Sequence, residues 1–127
     1  MKLRKSLVAL MLVAVFVGVA GAQEKNLTCV MTATDGETPA YHYEKQVMIN
    51  ESAGIAKFET ESAASKATFT DTTVVWVFED SDGRMTSTLS RVTAVLTRHY
   101  DGYNRNGMPD YPHSTTTYKC EATQRQF

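Results

Sequence analysis

Between Tyr100 and His113 the chain reads Y-D-G-Y-N-R-N-G-M-P-D-Y-P-H, a run holding three tyrosines, two aspartates, two asparagines and a histidine. Its core, Asn104-Arg105-Asn106-Gly107-Met108-Pro109-Asp110, echoes the calcium loops written D-x-D-x-D-G. In those loops alternate oxygens wrap the ion and the glycine permits the sharp turn. In that register the first ligand falls at Gly102, with Asp101 one place off, and the position that needs a bidentate glutamate is His113. At the ligand positions of that register only Asp110 would bring a full negative charge, so calcium is not expected. The segment reads as a long hairpin loop whose Gly, Asn and Pro residues serve backbone turns.

Tyrosine-rich loops with Asn, Gly and Arg combine rigid contact area with adaptable hydrogen bonding, which suits protein recognition. Tyr100, Tyr103, Asn104, Arg105 and Tyr111 are therefore the candidate contact residues. Other chemistry finds less support. His99 and His113 flank the loop and approach each other if the flanking strands pair, but two histidines alone make a poor zinc site. His42 and Glu44 share a polar face as solvated neighbours. There is no G-x-S-x-G elbow, and Glu79, Asp80 and Asp82 surround an expected hairpin turn. An enzyme would need titratable groups converging in a cleft, with His99, His113 and Asp110 as the trio to inspect. No enzymatic activity, cofactor or metal is expected.

The elements that would position these residues are strands. Thr, Val and aromatic residues dominate short alternating segments separated by turn signals, the pattern of an all-β domain. The alternation predicts strands over Asn26–Thr34, Tyr41–Asn50, Ile55–Glu61, Lys66–Asp71, Thr73–Asp80, Arg84–Ser90, Arg91–Tyr100 and Ser114–Thr123. Tyr41, Tyr43, Val47 and Ile49 share one face of the second. Val74, Trp76 and Phe78 share the inner face of the fifth, leaving Val75 and Val77 outside. Met85 and Leu89 belong to the sixth, and Val92, Ala94 and Leu96 to the seventh. Asp82-Gly83 is a hairpin signal.

Eight strands in a simple meander bring the first and last antiparallel, so that a curled sheet closes into a barrel without exposed edges. Cys29 and Cys120 fall on the apolar faces of those two strands and would seal the seam with a disulfide; a two-sheet sandwich joined by the same bond is the alternative. Closing so long a loop is credited with roughly 4–5 kcal/mol by the chain-entropy model. The expected inward residues Tyr41, Tyr43, Phe69, Trp76, Phe78 and Tyr118 are large, which favours a filled interior over a lipocalin-like cavity for a small apolar ligand.

The chain opens with Lys2, Arg4 and Lys5, an apolar run from Leu7 to Val19, and Ala20-Gly21-Ala22. This is the pattern of a signal peptide cleaved after Ala22, leaving residues 23–127 as one domain with no stable membrane anchor. A periplasmic or extracellular location follows, and there the two cysteines should pair. Loss of the three leader bases leaves 10 Lys and Arg against 14 Asp and Glu, a net charge of about −4. That balance gives no footprint for nucleic acid.

At Ser65-Lys66-Ala67-Thr68-Phe69-Thr70-Asp71 and the aromatic strand after it, the chain resembles the bacterial inhibitors of c-type lysozyme, the MliC/PliC-like group. The leader, the Leu27-Thr28-Cys29 opening and the near-terminal Cys120 belong to the same resemblance. It implies a small exported β-barrel with a disulfide that binds another exported protein without catalysis. The family's S-G-x-x-Y loop stands here as Ser65, Lys66 and Phe69, so Ser65 is the one motif position carried over. Acidic Glu79-Asp80-Ser81-Asp82-Gly83 replaces the family's lysine-glycine turn.

Overall fold

A computed structural model of the chain describes residues 24–103 and 113–123. The leader, the loop core from Asn104 to Pro112 and the last four residues lie outside the described residues. Eight strands follow one another: β1 (Lys25–Thr34), β2 (Glu44–Asn50), β3 (Ile55–Phe58), β4 (Ser65–Phe69), β5 (Thr73–Glu79), β6 (Gly83–Ser90), β7 (Val95–Gly102) and β8 (His113–Ala122). Each pairs antiparallel with the next, and β1 pairs with β8, so the expected meander barrel is the fold and the sandwich alternative falls away. Cys29 stands directly opposite Cys120 across that seam and is bonded to it.

The interior is built in layers by the two-residue period of the strands. Register places Val74 beside Leu89, Leu89 beside Leu96, and Leu96 beside Tyr118. One step along the axis, Trp76 pairs with Ser87 and Ser87 with Arg98. The small Ser87, fully buried, leaves room for the indole on one side and the guanidinium on the other. Phe58, Val47, Ala56 and the disulfide complete the core. Val77 stands outside the barrel, as its alternation requires.

Two expectations are corrected. Tyr41 and Tyr43 do not face the core: they are 69% and 49% exposed, and β2 starts only at Glu44. β1 and β2 pair only as far as Val30 and Glu44. Beyond them β1 continues along β8; Tyr43 keeps a single backbone bond to β1, its carbonyl accepting from Met31 N–H at 2.8 Å, and the two tyrosine rings meet edge to face outside. Nor do Val92 and Ala94 extend β7 inward. Ser90 turns the chain: its Oγ accepts hydrogen bonds from the backbone N–H groups of Val92 and Thr93, and its carbonyl accepts from Ala94 N–H. Ala94 takes a positive φ of 64° and Val92 is 74% exposed, so β7 begins at Val95. Smaller shifts trim the predicted third strand to Phe58 and move the fourth to Ser65–Phe69.

Candidate functional site

Odd-numbered strands run toward one end of the barrel, which gathers the connections β1–β2, β3–β4, β5–β6 and β7–β8. Every residue singled out for binding that lies among the described residues belongs to this loop end. Ser65 opens β4 there, half-buried, opposite Ala56 of β3. Tyr100 and Tyr103 lie at the end of β7, with β5 and β6 standing between them and β4. Asn104, Arg105, Tyr111 and the Asn104–Asp110 stretch tested for calcium are outside the described residues.

Tyr100 shares the inward parity of Leu96 and Arg98 and closes the barrel mouth, its hydroxyl donating to the Asp82 carbonyl at 3.1 Å. A Cβ on Gly83 would come within 2.8 Å of that hydroxyl and 2.5 Å of the Asp101 carbonyl oxygen, so glycine is required for this close approach. The hairpin signal at Asp82-Gly83 marks the right place for a different reason. Asp80 makes the turn, its carboxylate accepting from Asp82 N–H and Gly83 N–H at 2.8 and 3.1 Å. Tyr103 is docked on this hairpin through its N–H to the Asp82 carbonyl and its hydroxyl to the Glu79 carboxylate. The carboxylate pushes the phenol's pKa up. Arg84 stands 4.0 Å from Glu79. Glu79, Asp80 and Asp82 are exposed, so the tip is acidic with a tyrosine lying against it.

Beneath the mouth lies a charge pair, of which alternation along the strands could have located the Arg98 half. Arg98 follows Leu96 by two residues and therefore points inward, 5% exposed. Glu61, in the β3–β4 connection, folds into the mouth and is equally buried. Its carboxylate accepts from Arg98 Nη2 at 2.5 Å, from Trp76 Nε1 at 3.2 Å and from Phe58 N–H at 3.0 Å. Arg98 Nε donates to Ser87 Oγ at 3.0 Å, and the guanidinium lies 3.6 Å from the Phe58 ring centroid. Burial pulls the Arg98 pKa down while Glu61 and the Tyr118 hydroxyl push it back up. Burial also raises the Tyr118 pKa, which the guanidinium opposes. A recess of about 170 Å³ above this pair is lined by Glu61, Phe78, Met85, Arg98 and Tyr100.

On the outer face of β7 and β8, His99 and His113 do approach each other across the loop base, their rings stacked with centroids 6.0 Å apart. The carboxylate that joins them is Asp101; Asp110 lies outside the described residues. His42 and Glu44 are exposed, as expected. No family model, curated protein or solved structure matches this chain.

Proposed function

We propose that the protein is an exported, non-enzymatic β-barrel that binds another exported protein through its loop end, in the manner of an inhibitor of c-type lysozyme. The observation that carries this reading is the acidic β5–β6 tip with Tyr103 docked on it, sharing one barrel end with Ser65 and the tyrosine-rich loop. A negative tip suits a basic partner, steering encounter and fixing register. The seam disulfide is compatible with an oxidising compartment outside the cytosol. The test is lysis of bacterial cell walls by c-type lysozyme in the presence of the purified protein. Inhibition should weaken as salt screens the tip, and in Asp82→Asn or Tyr103→Ala variants. Unchanged lysis, with no exported protein retained in a pull-down, would count against the proposal.

A small apolar-ligand carrier is the second reading, favoured by one feature at the opposite end. There a recess of about 280 Å³ opens between Leu27, Ile49, Leu89 and Ala94, with Lys25 and Arg91 at its mouth. Its depth is limited by the filled layer of Trp76, Phe58 and Leu96. Saturable uptake of an apolar fluorophore, displaced by a fatty acid, would favour this reading over the first.

A further inference from the structure

We propose that His99, Asp101 and His113 form a binding site for a zinc-class divalent transition metal on the outer face of the β7–β8 ribbon. This inference is independent of what the loop end binds. Strand geometry brings the three together. Asp101 and His113 are direct cross-strand partners, and His99 precedes Asp101 by two residues on the same face. Arg98 and Tyr100, the alternate residues, turn into the barrel, so the three donors project outward from one rigid pair of strands.

The donor atoms converge. His99 Nε2 lies 3.1 Å and His113 Nδ1 2.7 Å from the same oxygen, Asp101 Oδ1. One ligand atom from each of the three residues lies within 4.8 Å of the others. A tetrahedral ion with bonds of about 2.0–2.2 Å holds neighbouring ligand atoms roughly 3.3 Å apart. Small side-chain rotations therefore open the cluster to seat an ion, with no change in the strands.

A partner for the distal ring nitrogen of His99 is already in place. His99 Nδ1 is hydrogen-bonded to Thr115 Oγ1 at 2.8 Å, and Thr115 is the cross-strand partner of His99. A metal on Nε2 leaves the Nδ1 proton to be donated to that hydroxyl, which sets the tautomer whose Nε2 lone pair faces the ion. Fixing the tautomer through the distal nitrogen is how metal-binding histidines are oriented. Two imidazoles and one carboxylate suit zinc and its transition-metal neighbours, whereas calcium and magnesium take oxygen donors. The His99 and His113 side chains are nearly half exposed, which gives the ion a path in and leaves a fourth position for water or an external ligand.

The test is titration of tag-free protein, stripped with chelator, with Zn²⁺ by calorimetry and with Co²⁺ by visible absorption near neutral pH. One equivalent of Zn²⁺ should bind with proton release, and Co²⁺ should give the intense absorption of a four-coordinate site. Asp101→Asn and His113→Ala should each weaken binding by at least about a hundredfold, and Thr115→Val by roughly 10- to 100-fold. His42→Ala, a change at an exposed histidine outside the cluster, should leave it intact. Metal-free melting curves of the variants verify that they fold. Absence of stoichiometric binding to the wild-type chain, or binding that survives both Asp101→Asn and His113→Ala, would overturn the proposal.

Discussion

Glu61 accepts hydrogen bonds from three donors on three different segments, one of them a buried guanidinium, and it is itself almost wholly enclosed. Breaking such a pair from one side leaves a charge in a low-dielectric interior, at a cost of about 3–5 kcal/mol. Glu61→Ala should lower stability by that amount in urea unfolding. Adding Arg98→Met removes the orphaned charge yet should not restore the whole loss. The Phe58 N–H and the Trp76 indole N–H would still lack an acceptor, leaving a deficit of about 1–3 kcal/mol. The pair also shows what could be read at this scale. Arg98 was legible in principle, because strand period alone puts it behind Leu96, but its charge argued against an inward position. Glu61 was not legible: it lies past the end of β3, where no periodicity applies.

The end of the barrel opposite the loops is held by one side chain reaching across elements. Arg91, in the β6–β7 turn, makes a two-pronged contact with Glu51 of the β2–β3 turn, at 2.8 and 3.3 Å. It also donates to the Thr70 carbonyl of the β4–β5 turn at 2.7 Å, while its own N–H binds the Thr72 carbonyl. Hydrogen bonding to Arg91 lowers the Glu51 pKa below its usual 4.5, and the same bond raises that of Arg91. A folded-state pKa below the unfolded one means that the contribution is complete above the unfolded value and lost as pH falls through the folded value. Glu51→Gln should therefore melt below wild type at neutral pH, by a small margin given the exposure of the pair. That margin should close as acid protonates Glu51 in both states. A difference independent of pH would mean that Glu51 acts through something other than its charge. Predicting strands up to the turns was possible, but this turn was missed because Ser90 and Ala94 do the work usually given to Gly, Asn or Pro.

At the scale of the whole molecule, barrel closure was the most legible feature, since eight alternating segments and two cysteines at opposite ends allow few arrangements. Tyr41 and Tyr43 were misplaced because alternation continues past the point where β1 stops offering β2 a partner. The seam carries a quantitative expectation. Replacing Cys29 and Cys120 together by Ala should cost about 2–5 kcal/mol in denaturant unfolding, and reduction of the native protein should shift its midpoint similarly. A negligible shift would mean that strand pairing alone closes the barrel.

Seven of the eight pairings join strands that are neighbours in sequence, while β1 and β8 meet through cysteines 91 positions apart in the chain. The seam is therefore the one pairing that cannot form as a local hairpin. Until β8 is in place, the edge of β1 away from β2 stays unpaired. Oxidation then acts as a latch on a finished object: the thiols come face to face only once the sheet has gone all the way round.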